Sequence, residues 1–265
     1  MLSVPGQITR RLSEAERLWL FLDYDGTLAE FAPTPDHVEP DPQVIDLLTG
    51  LARHPCVRVA VISGRRLSHV EALVPVPGIL LAGTYGVELR TSEGEQIDRL
   101  AYDAVRPVLD DLKPRWAELI AGREGFFLED KGWALALHAR FADEDEAEAV
   151  LASARRRAGD GLPQDLFRLL GGHRFLEVGP RLAHKGRTVA YLFDHCPWPG
   201  ALPIYVGDDD KDEEAFGVIQ ERDGVAVLVA REPRDTKADF CLESTYAARH
   251  WLATLPARLG TQGAR

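Results

Sequence analysis

Two aspartates two positions apart, Asp23 and Asp25, stand in the run Asp23-Tyr24-Asp25-Gly26-Thr27-Leu28, directly after the apolar stretch Leu18 to Leu22. Residues two apart on an extended chain point to the same side, so both carboxylates can address one ligand. Two anions at the mouth of an apolar strand repel each other unless a cation or a proton joins them. The same residues could also make a solvated Asp-Gly turn. A second acidic run, Gly207-Asp208-Asp209-Asp210-Lys211-Asp212-Glu213-Glu214, again follows a short apolar strand. Its six acidic residues in eight positions suit the first turn of a helix. Taken with the first run, they also make a site for a hard cation such as magnesium, which takes one or two carboxylates plus water and phosphate oxygens. No His-Cys set accompanies them, which disfavours zinc.

Two further features bear on phosphate. Ser63-Gly64-Arg65 closes the strand-like segment Val57 to Ile62. A hydroxyl and free backbone N–H groups at a helix entrance make a phosphate cradle, although Ser-Gly is also an ordinary turn or N-cap. Lys185-Gly186 opens a helical segment. A lysine there opposes the helix dipole, a conflict that a bound phosphate would remove; the alternative is an exposed surface lysine.

The elements that would position these groups alternate. Strand-like runs at 18–22, 57–62, 79–82, 204–206 and 225–229 are interleaved with helical patterns at 44–53, 67–73, 185–194, 212–217 and 245–255. Such alternation predicts an α/β fold, a Rossmann-like parallel sheet covered on both faces. In such sheets the ligand crevice lies outside the carboxyl ends of the strands. The middle of the chain reads differently: helix 102–120, strands 126–129 and 134–139, helix 144–157, then strands 166–170 and 174–178 joined at Gly171-Gly172, a hairpin signal. The expected organisation is a catalytic core of residues 1–102 and 182–265, with an inserted α+β cap at 103–181.

Composition narrows the partners. A net charge of −11 repels nucleic acid and anionic membrane, and a phosphate too, so an anionic substrate requires local cations. No apolar run approaches the roughly 18 residues of a membrane span, and the first residues lack a secretory pattern. Three widely spaced cysteines, Cys56, Cys196 and Cys241, suit a reducing cytosol. The expectation is a cytoplasmic protein, monomeric or weakly oligomeric, with a small-molecule partner.

In this order, Asp23-x-Asp-Gly-Thr, Ser63, Lys185 and Gly207-Asp-Asp-x-x-Asp-Glu make the chain resemble the haloacid dehalogenase superfamily of aspartate-nucleophile phosphatases. A narrower resemblance, to the trehalose-6-phosphate phosphatases, rests on Ser63-Gly64-Arg65, on Leu128-Glu-Asp-Lys-Gly-Trp-Ala-Leu-Ala-Leu-His-Ala-Arg140, on Leu176-Glu-Val-Gly-Pro180, on Lys185-Gly and on the last acidic motif with Phe216. The resemblance implies a Mg²⁺-dependent phosphomonoesterase acting on trehalose 6-phosphate through a covalent aspartyl-phosphate. On that reading Asp23 is the nucleophile, Asp25 the general acid and base, and Ser63, Gly64, Arg65 and Lys185 bind phosphate. The metal lies on Asp23, Asp25 and Asp208, while Asp209 and Asp212 hold its waters or position Lys185. Glu129, Lys131, His138, Arg140 and Glu177 become sugar contacts of the cap. The chain departs from the family pattern at Lys211, where threonine is usual, and at Tyr85, where related enzymes often have histidine. Phosphates of sucrose, glucosylglycerol or mannosylglycerate would fit the same core chemistry, and a phospho-acceptor signalling domain also gathers aspartates and a lysine at strand ends.

Overall fold

The computed structural model describes residues 4–30, 39–159, 161–172, 174–232 and 234–259. The chain divides into two compact units, Met1–Ile97 with His184–Arg265, and Asp98–Ala183.

The first unit is built on an eight-stranded sheet whose centre is β1 (Arg17–Leu22). On one side lie β2 (Val57–Ile62), β3 (Leu80–Gly83), β4 (Glu88–Arg90) and β5 (Gln96–Asp98). On the other lie β10 (Ala201–Gly207), β11 (Val225–Val229) and β12 (Phe240–Leu242). Pairing is parallel from β12 through β3, and β4 turns back antiparallel to β3. Alternation along the strands sends side chains to two cores. Leu18, Leu20 and Leu22 face a layer containing Val44 and Leu48 of α2 (Pro42–Ala52), Leu67 and Val70 of α3 (Leu67–Leu73), and Trp251 and Leu252 of α8 (Thr245–Thr254). Trp19 and Phe21 face the opposite layer, with Val189 and Leu192 of α6 (Lys185–His195) and Phe216 and Ile219 of α7 (Glu213–Gln220). A sheet covered on both faces explains why its strands read as unbroken apolar runs.

The register places the chemistry. Leu22 pairs with both Val206 and Val61. Asp23 continues the ladder for one more bond, its N–H donating to the Val206 carbonyl at 2.9 Å. Asp23, Ser63 and Asp208 therefore emerge at the carboxyl ends of three adjacent strands, and the strand order reverses direction at β1.

The second unit carries the antiparallel sheet β6-β7-β9-β8, formed by β6 (Phe127–Asp130), β7 (Leu135–His138), β8 (Phe167–Gly172) and β9 (Phe175–Pro180). It also contains α4 (Tyr102–Ile120) and α5 (Glu144–Gly159), linked where the Trp116 indole N–H donates to the Ala154 carbonyl at 3.0 Å. Arg106 of α4 grips both Asp130 oxygens at 2.8 Å, and Lys113 adds a third bond at 2.9 Å.

Three differences from the sequence reading have local causes. Gly171-Gly172 is not the turn of the hairpin: both residues are paired within β8, opposite Leu176 and Phe175, and the reversal lies beyond them, where Arg174 takes a φ of 57°. The three-residue strands β4, β5 and β12 are too short to show a period. The first helix, α1 (Gly6–Glu14), buries only Ile8 and Leu12, so its polar sequence hides it.

Two glycines give opposite expectations. Gly186, in α6, abuts the Glu214 carbonyl so closely that an added Cβ would collide with it, whereas Gly50, exposed in α2, has open space around it. Gly186→Ala should destabilise the protein by about 1–3 kcal/mol. Gly50→Ala should stabilise it by about 0.5–1 kcal/mol. Equal denaturant midpoints for the two variants would refute this account. In the second unit, the hydrogen bond from Arg106 holds the Asp130 carboxyl well below its usual range, against partial burial and with help from Lys113. The contribution of a depressed carboxyl to stability is present above its unfolded pKa and disappears as pH falls through the folded one. The stability gap between wild type and Asp130→Asn should thus be constant above about pH 5 and shrink below about pH 4 in thermal melts. A gap that stays level down to acid pH would contradict this.

Candidate active site

Lys185 is the first residue of α6, and its side chain is only 3% exposed. Its ammonium donates to Asp23 Oδ1 at 2.7 Å and to Asp212 Oδ1 at 2.6 Å, and lies 3.8 Å from Asp209. The conflict with the helix dipole is thus met by carboxylates brought from two other strand ends. Burial alone would lower the lysine pKa, but Asp212 and Asp23 outweigh it and raise it well above the ordinary value.

Asp212, fully buried, braces the acidic loop. One oxygen accepts from Lys185 and from the Tyr205 hydroxyl at 2.7 Å, and the other accepts from the N–H groups of Asp208 and Asp209, both at 3.1 Å. Thr27 joins the two acidic runs directly: its hydroxyl lies 3.1 Å from Asp23 Oδ2 and 3.3 Å from Asp208 Oδ1. The roles of Thr27 and Tyr205 escape sequence reading. Thr27 stands within the first motif, but nothing in its spacing from Asp208 shows the contact; Tyr205 looks like one more apolar strand residue.

Oxygens of Asp23, Asp208 and Asp212 lie within 4.8 Å of one another. Burial raises the Asp23 carboxyl to about 7, with Lys185 opposing and Asp208 and Asp209 reinforcing the shift. Burial likewise raises Asp208 to about 7, reinforced by Asp212 and Asp209. Two ammoniums, those of Lys185 and Lys211, thus face the four carboxylates of Asp23, Asp208, Asp209 and Asp212, leaving surplus negative charge in a largely buried, all-oxygen setting. That donor chemistry fits a hard divalent cation and offers nothing to a soft one. Asp212, already accepting four hydrogen bonds, is suited to brace the set, while Asp23 and Asp208, with fewer hydrogen bonds, keep lone pairs for a cation.

Ser63 is buried, and its Oγ accepts the Arg65 N–H at 3.1 Å. Arg65, read from sequence as a phosphate contact, lies against Asp25, with Nε and Nη2 each 2.7 Å from a different carboxylate oxygen. Asp25 and Asp23 are therefore held by different cations, from the loop after β2 and from α6 respectively.

In the second unit, Glu129, Lys131, His138 and Glu177 gather on one sheet face. Glu129 and Glu177 both pair with Ala136 across β7. Lys131 donates to Glu177 at 2.6 Å, and His138 Nε2 lies 2.9 Å from Glu129 with its ring stacked on Phe127 at 4.1 Å. Arg140 does not join them. β7 ends at His138, and the exposed Arg140 lies over Phe141, 6.0 Å from its ring centroid.

Against known proteins, a sequence model of the trehalose-phosphatase family matches residues 21–245. This chain belongs to that family. It is 34% identical over 251 residues to the trehalose-phosphate phosphatase of Mycobacterium marinum, covering 92% of this chain and 63% of the relative. It is also 34% identical over 232 residues to that of Mycobacterium tuberculosis, covering 85% of this chain and 58% of the relative. The chain thus spans about three-fifths of the length of these curated relatives. The fold matches the C-terminal domain of Candida albicans trehalose-6-phosphate phosphatase with a TM-score of 0.81 at 21% identity, covering 95% of this chain and 96% of the other. A haloacid dehalogenase-like hydrolase from Bacteroides thetaiotaomicron matches with a TM-score of 0.62 at 14% identity, covering 89% and 98%. The parallel α/β core of this trehalose-phosphatase family member is therefore the haloacid dehalogenase-like fold.

The lysine at the centre of the site gives a direct check. Lys185→Met leaves two buried carboxylates without their cation, which should cost about 3–5 kcal/mol in urea denaturation. A variant as stable as wild type would mean that the Asp23–Lys185–Asp212 bridge does not hold the loops together.

Proposed function

We propose that the protein hydrolyses trehalose 6-phosphate to trehalose and phosphate, with Asp23 as nucleophile. The observation that carries this reading is the meeting of Asp23, Asp208 and Lys185 at the carboxyl ends of β1 and β10, within a chain of the trehalose-phosphatase family.

Asp23, Asp208 and the Asp25 main-chain carbonyl would hold a divalent cation, Mg²⁺ on our reading. Its chemical contribution when bound is to offset the negative charge between a carboxylate nucleophile and a phosphoryl group. Asp23 attacks phosphorus in line and forms an acyl phosphate, splitting one difficult displacement into two easier ones. Lys185 keeps the Asp23 carboxylate in place and, with Ser63 and the Gly64 N–H, stabilises charge on the phosphoryl oxygens. Asp25 gives its proton to the departing sugar oxygen and later takes one from the attacking water. Because Arg65 grips both Asp25 oxygens, one of those hydrogen bonds must yield before Asp25 reaches the leaving group. Residues 103–181 act as a cap, and Glu129, Lys131, His138 and Glu177 supply the polar face for sugar hydroxyls. Closure of such a cap would exclude water while the phosphoryl group is transferred.

Among the described residues, no helix is long and apolar enough to cross a membrane, and Cys56, Cys196 and Cys241 are free thiols. Both are compatible with the cytosol, which we assign as its compartment.

Phosphate release should be seen with trehalose 6-phosphate and Mg²⁺, be lost in EDTA and return with added Mg²⁺. Asp23→Asn should abolish it, and Asp25→Asn should lower kcat by about 10²–10⁴-fold. An Asp23→Asn protein with wild-type turnover would end the proposal. A screen of sucrose, glucosylglycerol and mannosylglycerate phosphates reads the substrate assignment separately.

A further inference from the structure

Two residues beside the site that the proposed mechanism leaves unused, Tyr85 and Lys211, lie against each other. The Lys211 ammonium lies 5.2 Å from the centroid of the Tyr85 ring. It is also 3.7 Å from Asp209 Oδ2, while Lys185 approaches Oδ1 of the same carboxylate at 3.8 Å. Asp209 thus stands between two lysines of different character. Lys185 is sealed off at 3% exposure, whereas Lys211 keeps 27% of its side chain open to solvent.

Tyr85 is held with some effort. It and Thr84 both adopt positive φ, 54° and 47°, a backbone state that costs non-glycine residues energy and persists only where neighbours enforce it. Here the neighbours are several. The Tyr85 N–H donates to the Ser63 carbonyl at 2.8 Å, its carbonyl accepts from Thr188 Oγ1 at 2.7 Å, and Thr84 Oγ1 donates to Glu88 at 3.0 Å. The ring is pressed against the proposed phosphate loop so tightly that a Cβ on Gly64 would sit 2.6 Å from its Cζ and Oη. Lys211, Tyr85 and Gly64 therefore form a line of contacts from the acidic loop after β10 to the loop after β2.

The electrostatics give this line a purpose. Asp23, Asp25, Asp208, Asp209 and Asp212 crowd the crevice of a chain with a net charge of −11, and an approaching phosphate dianion meets that field first. We propose that Lys211, braced by the Tyr85 ring and Asp209, is a substrate-binding residue that attracts and holds the phosphate dianion at the mouth of the crevice. This rests on the phosphatase reading above and adds a second cation to it. Lys185 serves the nucleophile from within, and Lys211 serves the incoming anion from the solvent side. A residue that binds substrate and transition state alike changes KM and leaves kcat in place.

The test uses the full chain in Mg²⁺ buffer, with inorganic phosphate as probe in calorimetry and trehalose 6-phosphate in kinetics. Lys211→Thr should weaken phosphate binding and raise KM, each by about five- to tenfold, with kcat within about twofold and an effect that shrinks at high salt. Lys211→Arg should restore both values, because a cation still faces the ring. A purely structural lysine would instead lower the melting temperature and leave phosphate affinity alone. An unchanged phosphate Kd in Lys211→Thr, or an equal loss in both variants, overturns the inference. If wild type turns over no sugar phosphate yet its phosphate affinity still depends on Lys211, the functional reading fails and only the phosphate-binding role of Lys211 stands.

Discussion

One buried ammonium ties the core together. Lys185 comes from the helix that follows the inserted unit, Asp23 from the central strand and Asp212 from the acidic loop, and each alone would be a charge stranded away from water. The cost of burying any of them is offset only when all three are in place. Around this bridge the neighbouring contacts fall into order: Tyr205 and two backbone N–H groups complete Asp212, Thr27 spans Asp23 and Asp208, and Gly186 lets α6 approach the start of α7.

The two aspartates of the first motif are set apart by the same geometry. They leave one strand end two residues apart, yet Asp23 turns to a lysine and Asp25 to an arginine. Two like charges on one short segment are thereby separated into different environments, one sealed and one partly open.

Much of this was readable in the sequence because it depends on local pattern. Apolar strands that stop abruptly at an aspartate or a serine mark the carboxyl edge of a parallel sheet, and parallel register then brings Asp23, Ser63 and Asp208 together. The face shared by Glu129, His138 and Glu177 follows from a period of two, and it fails for Arg140 because the strand has ended by then. The Arg65–Asp25 pair is not legible in the sequence: the two residues come from different strand ends, and a guanidinium that fits a phosphate fits a carboxylate equally well. The hairpin in the second unit misled for a related reason. Paired glycines signal a turn, but glycines can also sit in the ladder, as Gly171 and Gly172 do opposite Leu176 and Phe175.

The position of β1 has a consequence for how the chain acquires its form. Its neighbour on one side, β2, follows soon in the sequence, but its neighbour on the other, β10, comes only after the whole inserted unit. While the polypeptide is being made, the Leu-Trp-Leu-Phe-Leu segment keeps one edge unpaired, and the charged residue at its end lacks both its lysine and its opposing carboxylate. A large, non-local closure of this kind is slow and leaves an apolar edge open to association with other chains. The Asp23–Lys185–Asp212 bridge needs residues from both sides of the inserted unit, so a chain cut short before α6 would expose that strand edge and lack the bridge altogether.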